Sequence, residues 1–383
     1  MKILFVANGI VGEDPHLTGG ETRFIEIARG WANKGHEIHL MSSKAGERLC
    51  KKLKLNVKQH LFINSDRADR LLFFKIALKS IFFLPKTLDI FNEGIVYSTN
   101  EMIFDVLPAL RLKLKYRNKI KWAAVVHWLP PLPWKRKKSN IINSTLFFLN
   151  ERLSLRLANR FADVLLPVSQ STAKQLSEFG ANMMKVHPVD CGVNFHEIRD
   201  ISSQVYDKKY DAVFMKRLQA VKGIFDLIDI WEVVVKSKPN AKLLVIGEGI
   251  DGQSAREIVK QKNLSNNIEF TGVIYDMNEK IKRLAQSKLF ILPTYEENWA
   301  IVIGEAMASG TPVISYALEP LINVWGENVT FIPVGNKELF ANKIVNLLND
   351  NIYMNEICKV GIDFIKKFDW ESIAEKELEY ILG

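Results

Sequence analysis

The sequence has few cysteines and no long uncharged apolar run. Its three cysteines, Cys50, Cys191 and Cys358, are scattered and form no CxxC pair, which argues against a disulfide framework and a cysteine-ligated zinc site. No stretch of about 18 uncharged apolar residues occurs, so no membrane span is predicted. The first apolar run, Ile3–Ala7, is too short for a signal peptide and is typical of a buried strand. We therefore expect a cytoplasmic protein.

Motifs for metal-dependent and nucleophilic chemistry are also missing. The sequence contains no Asp-x-Asp, no HExxH and no GxSxG. We therefore predict that the protein has no metal centre and no bound cofactor. Any charge that develops in its reaction has to be met by cationic side chains in place of a divalent ion.

The length and composition indicate two ordinary globular domains. The chain has 383 residues, of which 48% are apolar and 25% are charged. Its net charge of +9 is unevenly distributed: residues 1–190 hold 30 basic and 16 acidic side chains, and residues 191–383 hold 22 and 27. A basic first half suggests an anionic partner, such as a membrane surface, a nucleic acid or an acidic substrate.

Strand and helix patterns alternate along both halves. In the first half, a strand over Ile3–Ala7, a helix near 21–34 and a strand over Glu37–Ser42 form a βαβ unit. The alternation restarts after about residue 195, with strands at Ala212–Met215, Lys242–Ile246, Ile268–Phe270, Leu289–Leu292 and Pro312–Ser315. We predict an α/β protein with two Rossmann-like, doubly wound domains that face each other across a cleft, and ligands at the carboxyl ends of the strands.

The most informative segment follows the strand that ends at Leu292. Glu297 lies at the entrance of a predicted helix, Glu305 lies about two turns further on, and Gly310-Thr311-Pro312-Val313 follows. Free N–H groups at a helix start attract phosphate, and carboxylates at the same place accept hydrogen bonds from hydroxyls. Phosphate together with several hydroxyls describes a nucleotide sugar.

This segment resembles the retaining glycosyltransferases of family 4 (glycosyl transferases group 1), which have the GT-B fold. Their hallmark is a Glu, seven residues and a second Glu, followed by Gly-Thr-Pro-Val. The family usually has Phe-Gly one residue after the first Glu; Trp299-Ala300 takes this place here, after Asn298, and Trp299 is expected to narrow the sugar site. The resemblance implies that Glu297 binds the sugar, that Glu305 binds the ribose, and that the backbone amides of Asn298, Trp299 and Ala300 grip the donor.

The resemblance extends to three further places. The segment from Met215 to Gly223 is similar to the family's Gly-Arg-Leu…Lys-Gly, with Lys216 in place of the Gly; it implies that Arg217 and Lys222 hold the donor diphosphate and stabilise the leaving group. The pair Gly19-Gly20 matches a family Gly-Gly close to the donor phosphate or the acceptor. His127, after an apolar strand, matches a histidine beside the transferred sugar. We therefore predict Glu297, His127, Arg217 and Lys222 as the catalytic set.

The predicted organisation is an acceptor-binding domain over 1–194 and a nucleotide-sugar-binding domain over 195–368, with a last helix, 369–383, that returns to the first domain. We expect a metal-independent hexosyltransferase that moves a sugar from a nucleotide-sugar donor to a glycan or lipid-linked acceptor in cell-envelope polysaccharide or glycolipid synthesis. The alternatives are a nucleotide-sugar epimerase or hydrolase on the same fold, and a non-catalytic sugar-nucleotide-binding scaffold at the membrane.

Two patterns leave further alternatives. The segment Gly247-Glu248-Gly249-Ile250-Asp251-Gly252 fits GxGxxG, for which Glu269 would be the ribose ligand of a nicotinamide cofactor; Glu269 lies inside a strand, however, so this alternative is disfavoured. The apolar segment 71–84 and the basic runs 111–121 and 135–138 suit either docking on the anionic inner face of the cell membrane or a core helix beside solvated charges. Binding to nucleic acid is not expected, since no such module occurs.

Overall fold

The computed structural model describes residues 1–10, 19–63, 70–135, 141–205 and 207–383. The strands in these residues are β1 Lys2–Ala7, β2 Glu37–Ser43, β3 Lys58–Ile63, β4 Gly94–Ser98, β5 Ile120–Val126, β6 Val164–Pro167, β7 Ala212–Met215, β8 Leu243–Ile246, β9 Ile268–Gly272, β10 Phe290–Leu292, β11 Val313–Tyr316 and β12 Thr330–Ile332.

The α-helices of the same residues alternate with these strands. They are α1 Gly19–Asn33, α2 Lys44–Lys52, α3 Arg70–Phe82, α4 Ile103–Tyr116, α5 Ile141–Phe161, α6 Gln170–Phe179, α7 Phe195–Ser202, α8 Ile224–Ser237, α9 Gly252–Gln261, α10 Met277–Ala285, α11 Ile301–Ala308, α12 Glu319–Trp325, α13 Lys337–Asn349, α14 Asn351–Ile365 and α15 Trp370–Leu382.

The chain divides into two compact units. Unit 1 comprises Met1–Cys191 together with Trp370–Gly383, and unit 2 comprises Gly192–Asp369. Each contains one six-stranded sheet in which the described neighbours run parallel, in the orders β3-β2-β1-β4-β5-β6 and β12-β11-β10-β7-β8-β9. Both are the doubly wound order 3-2-1-4-5-6, whose direction reverses at β1/β4 in unit 1 and at β7/β10 in unit 2. Ligands bind at such reversal points.

The central strands are apolar throughout because helices cover both faces of each sheet. Ile3–Ala7 and Leu243–Ile246 are buried along their whole length, as expected for parallel strands. Local signals set the helix ends between them. Ser169 caps α6 by accepting the N–H of Thr172, and Gly180 ends that helix in the left-handed conformation, at φ 86°.

The last helix, α15, packs against α1 and closes the core of unit 1. Trp31 of α1 is fully buried, and its indole N–H donates to the carbonyl oxygen of Ala374 at 2.8 Å. Arg23 of α1 forms an ion pair with Glu377 of α15, and the hydroxyl of Tyr97 in β4 bonds both of them, at 2.7 Å each. Helix α15 is therefore a structural part of unit 1 although it ends the chain.

Candidate functional site

The candidate site of unit 2 lies where its strand order reverses. Strands β7 and β10 are neighbours there, with Val213 opposite Phe290. The segments that follow them, 216–223 and 293–300, both leave the carboxyl edge of the sheet. These segments contain the cations and the first carboxylate that the sequence singles out. The topology therefore brings them to the edge at which doubly wound sheets bind ligands.

Glycines allow the loops at this edge to approach closely. Gly223 has a φ of +83°, and a Cβ there would lie 1.8 Å from the carbonyl oxygen of Pro293. Gly247 has a φ of +135°, and its Cβ would lie 2.1 Å from the carbonyl oxygen of Lys216. Larger residues do not fit either position. The Gly-x-Gly turn after β8 thus serves the packing of the segment 216–223.

Two lysines hold the Glu297 carboxylate. The Nζ atoms of Lys216 and Lys222 lie 2.7 and 3.0 Å from its Oε1, and Lys222 also donates to the carbonyl oxygen of Glu296 at 2.6 Å. The Glu297 side chain is only 9% exposed. Arg217 points into solvent and forms no ion pair with a carboxylate in the described part of the chain. Glu297, Lys216, Lys222 and Arg217 therefore make a cluster with two excess positive charges.

The lysines of this cluster favour the ionised form of Glu297. Burial alone raises the pKa of Glu297, but Lys216 and Lys222 outweigh it and hold that pKa below its ordinary value. Burial also lowers the pKa of Lys216, while the Glu297 carboxylate opposes this shift. An ionised carboxylate between partly buried lysines can accept bonds from hydroxyls, and the excess positive charge favours an anion.

The second carboxylate of the motif has its own partner. Glu305, in α11, is buried, and its Oε1 lies 2.7 Å from the Nζ of Lys280 in α10. The structure thus pairs Glu297 with Lys216 and Lys222, and Glu305 with a different lysine. Nothing in the sequence pattern points to Lys280, because it lies 25 residues before Glu305 on a separate helix.

The remaining predicted residues belong to unit 1. Gly19 and Gly20 open α1, and His127 directly follows β5. The backbone N–H of His127 donates to Oε2 of Glu101 at 2.9 Å, and its ring Nε2–H donates to the carbonyl oxygen of Thr99 at 3.0 Å. Burial, followed by the charge of Arg23, lowers the pKa of His127 to about 4. The ring is therefore neutral at physiological pH and carries its proton on Nε2.

Family models match both halves of the chain. The model for glycosyltransferase family 4 matches residues 17–197, and the model for glycosyl transferases group 1 matches residues 196–362. The chain belongs to glycosyltransferase family 4.

Individual glycosyltransferases are similar over different lengths. An uncharacterised glycosyltransferase of Methanocaldococcus jannaschii is 23% identical over 320 residues, which are 80% of this chain and 72% of that one. The phosphatidyl-myo-inositol mannosyltransferase of Mycobacterium leprae is 27% identical over 158 residues, 40% of this chain and 41% of that enzyme. The chain thus matches less than half of that characterised relative.

Solved structures establish the fold of this family 4 glycosyltransferase. Sucrose-phosphate synthase from Thermosynechococcus elongatus has a TM-score of 0.76 at 18% identity, covering 99% of this chain and 97% of that one. Anabaena HepE, solved with UDP and glucose, has a TM-score of 0.73 at 19% identity, covering both chains completely. The predicted α/β GT-B fold is confirmed.

The Trp299 side chain of this family 4 enzyme lies in an aromatic core, although its place in the motif led us to expect it at the sugar site. The residue is buried, and its ring packs edge-on against Trp325, with centroids 4.5 Å apart, and against Phe368 at 5.5 Å. Helix α11 begins only at Ile301, after Ala300 in the left-handed conformation with φ 57°. Glycine adopts this conformation without strain, whereas alanine pays about 1 kcal/mol for it. The aromatic core of unit 2 explains why a tryptophan occupies position 299.

The structure also bears on the nicotinamide alternative and on the second basic run of the sequence. The carboxylate of Glu269 accepts the hydroxyl of Tyr210 at 3.1 Å, so the acid that a nicotinamide site requires already has a structural partner. Arg136–Lys138 of the second basic run lie outside the described residues.

Among the residues that are described, no helix is long and apolar enough to cross a membrane, and no three His, Cys, Asp or Glu side chains are grouped to hold a metal ion.

Proposed function

We propose that this family 4 glycosyltransferase moves a sugar from a nucleotide-sugar donor to a glycan or lipid-linked acceptor, with retention of configuration. The observation that carries the proposal is the partly buried contact of Glu297 with Lys216 and Lys222 at the reversal point of the unit 2 sheet. Two excess positive charges there suit the two negative charges of a diphosphate, and the ionised carboxylate suits sugar hydroxyls.

Each residue of unit 2 has a distinct role in this proposal. Arg217 and Lys222 bind the diphosphate and stabilise the charge that develops as it leaves, without a divalent ion. Lys216 keeps Glu297 ionised and in place when Lys222 turns towards phosphate. Glu305, positioned by Lys280, binds the ribose, and the backbone amides of 298–300 bind the donor sugar or its phosphate. Attack comes from the face that the leaving phosphate occupies, and a phosphate oxygen takes the acceptor proton.

Unit 1 supplies the acceptor side in this proposal. Its opening helix begins at Gly19 and Gly20, and His127 follows β5 with a ring that is neutral at physiological pH. A neutral ring beside the transferred sugar adds no positive charge to the acceptor side. The basic balance of residues 1–190 favours an anionic acceptor, such as the lipid-linked precursors of cell-envelope glycans.

The donor can be tested by thermal shift against UDP-, GDP-, ADP- and CDP-sugars. A donor at about 100 times its Kd should raise the stability of unit 2 by about 2.7 kcal/mol. The shift should occur with one nucleotide class and should be reduced in Lys222→Ala. Lys288→Ala is the matched control, since Lys288 pairs with Asp211 at 2.8 Å elsewhere in unit 2. A panel without any shift would contradict donor binding, and turnover without acceptor would favour the hydrolase or epimerase.

Unit 1 also carries an exposed apolar stripe that suits contact with an anionic membrane. The side chains of Ile142, Leu146, Leu149 and Leu153 follow one another at helical spacing on α5, and all are exposed. The same face continues with Arg156 and Arg160, both exposed. An apolar stripe that leads into cations is typical of helices that lie in the membrane interface. We place the peripheral contact of the enzyme here, and α3 adds exposed Phe82.

Charges placed on this stripe should release the enzyme from membranes. The double variant Leu146→Glu/Leu149→Glu should lower binding to vesicles that contain anionic lipid at least about tenfold, because it removes two apolar anchors and adds repulsion. Ile352→Glu is the matched control, since Ile352 is 84% exposed but lies on α14 of unit 2. Co-sedimentation with vesicles measures the bound fraction. Equal binding of the double variant and the wild type would refute the membrane contact.

A further inference from the structure

Two buried carboxyl groups of unit 1 have no role in the reaction described above. Glu101 follows β4, and Glu151 lies in α5; both are buried, and Glu151 has an exposed fraction of 0%. Among the described residues, neither oxygen of Glu151 has a hydrogen-bond partner, and Nε of Arg152 lies 3.6 Å from Oε2. Ser154 of α5 donates to the carbonyl oxygen of Glu101, so the helix packs directly on the segment after β4. Carboxyls with so few partners are costly to bury in their ionised form.

Only one of the two carboxyls touches His127. Oε2 of Glu101 accepts the backbone N–H of His127 at 2.9 Å, while the carbonyl oxygen of Thr99 accepts its ring Nε2–H at 3.0 Å. The backbone and the ring of His127 are thus both held by the short segment that follows β4. This segment lies at the strand-order reversal of unit 1, where a doubly wound sheet binds its ligand.

We propose that Glu101 is a positioning residue, whose carboxylate holds the His127 backbone so that the ring stands correctly on the acceptor side of the reaction. The inference rests on the proposed role of His127 in acceptor binding. Glu101 itself reaches the substrate only through His127. Glu151 occupies the same buried cluster without contact to His127, and it therefore serves as the natural comparison.

The ionisation of Glu101 should then be visible near neutral pH. Burial raises the pKa of Glu101 to about 7, although the hydrogen bond from the His127 backbone opposes the shift, and burial raises the pKa of Glu151 to about 8. His127 titrates far lower, at about 4, so a change near neutrality does not come from its ring. The other charged groups that face the cluster are Asp105 of α4, Glu21 and Arg23 of α1, and Arg152 of α5.

The direction of the pH effect follows from the hydrogen bond. An ionised carboxylate binds the His127 N–H about twice as strongly as a neutral carboxyl does, so protonation should lower kcat/KM for the acceptor about fivefold. The ionised form is present above the pKa of Glu101 and is lost as the pH falls through it. Acceptor kcat/KM should therefore fall on the acid side with a midpoint near 7, while donor binding should stay unchanged.

The experiment compares three single variants of the full chain across about pH 5 to about pH 9. Glu101→Gln should lower acceptor kcat/KM about fivefold at alkaline pH and abolish the acid limb, since its amide oxygen is always neutral. Glu151→Gln and Asp105→Asn each remove a carboxylate from the same cluster, but neither removes the one that binds the His127 backbone. Both variants should keep the wild-type kcat/KM and its fall at acid pH. A merely structural role would move the three variants together. That outcome, or an unchanged limb in Glu101→Gln, would overturn the proposal.

A second readout does not depend on transferase activity. Selective ¹⁵N-histidine labelling gives few signals, because the chain has seven histidines. The amide shift of His127 should follow pH with a midpoint near 7 in the wild type and in Glu151→Gln, and should be flat in Glu101→Gln. If no donor and acceptor pair reacts, the proposed function fails, but this titration still tests the contact between Glu101 and His127. A His127 amide shift that does not change with pH in the wild type would refute that contact.

Discussion

Replacing Lys222 by alanine should lower kcat at saturating donor about 10²- to 10³-fold. The Nζ of partly buried Lys222 lies 3.0 Å from Oε1 of Glu297 at the carboxyl edge of the unit 2 sheet, where the proposal places the leaving diphosphate. A cation fixed in a dry site stabilises charge that develops in the transition state far more than a solvated one does. Initial rates with the donor identified by thermal shift measure the loss.

Lys288→Ala controls for the simple loss of a lysine from unit 2. Lys288 is half-exposed and pairs with Asp211 at 2.8 Å, away from Glu297, so its removal should change kcat by less than about twofold. Both variants should give the same circular dichroism and similar melting temperatures. If Lys222→Ala retained more than about a tenth of the wild-type kcat, its assignment to the leaving group would be wrong.

The sequence predicts what depends on neighbours in the chain. The strand Ala212–Met215 has the bounds predicted for it, since four successive apolar residues between polar ones are enough to mark a buried parallel strand. The ends of helix α6 follow from equally local signals, with Ser169 as its cap and Gly180 as its end. Apolar runs and capping residues act on neighbours within a few residues, so a single sequence is enough to predict their effects.

Contacts between distant segments could not be predicted in this way. The ion pairs of Glu297 with Lys216 and of Glu305 with Lys280 join separate helices and loops, and no spacing rule relates such residues. The packing of Trp299 could not be predicted either. Its place in a motif suggested contact with the sugar, and the aromatic residues of α12 and of the segment after α14 bury its ring. Motif position identifies a loop, and packing then decides which of its side chains face the ligand.

The largest stability effect should come from Glu377, near the end of the chain. Its carboxylate binds Arg23 and the hydroxyl of Tyr97, and the side chains of Arg23 and Glu377 are 1% and 0% exposed. Glu377→Ala leaves a guanidinium that cannot lose its proton inside the core of unit 1, so it should cost about 3–5 kcal/mol of unfolding free energy. Urea unfolding, with hydrogen exchange of α1 and β4 amides to assign the transition to unit 1, measures this loss.

A neighbouring residue on the same helix separates the buried ion pair from a general effect on α15. Glu375 also pairs with a lysine, Lys34, which directly follows α1, but its side chain is mostly exposed; Glu375→Ala should therefore cost less than about 1 kcal/mol. The double variant Arg23→Met/Glu377→Met should recover at least about 2 kcal/mol of the loss, because it removes the isolated charge together with its partner. Equal losses in Glu377→Ala and Glu375→Ala would show that docking of α15 depends on contacts other than this ion pair. Because α1 begins at Gly19, four residues before Arg23, the same contact connects the end of the chain to the predicted acceptor side.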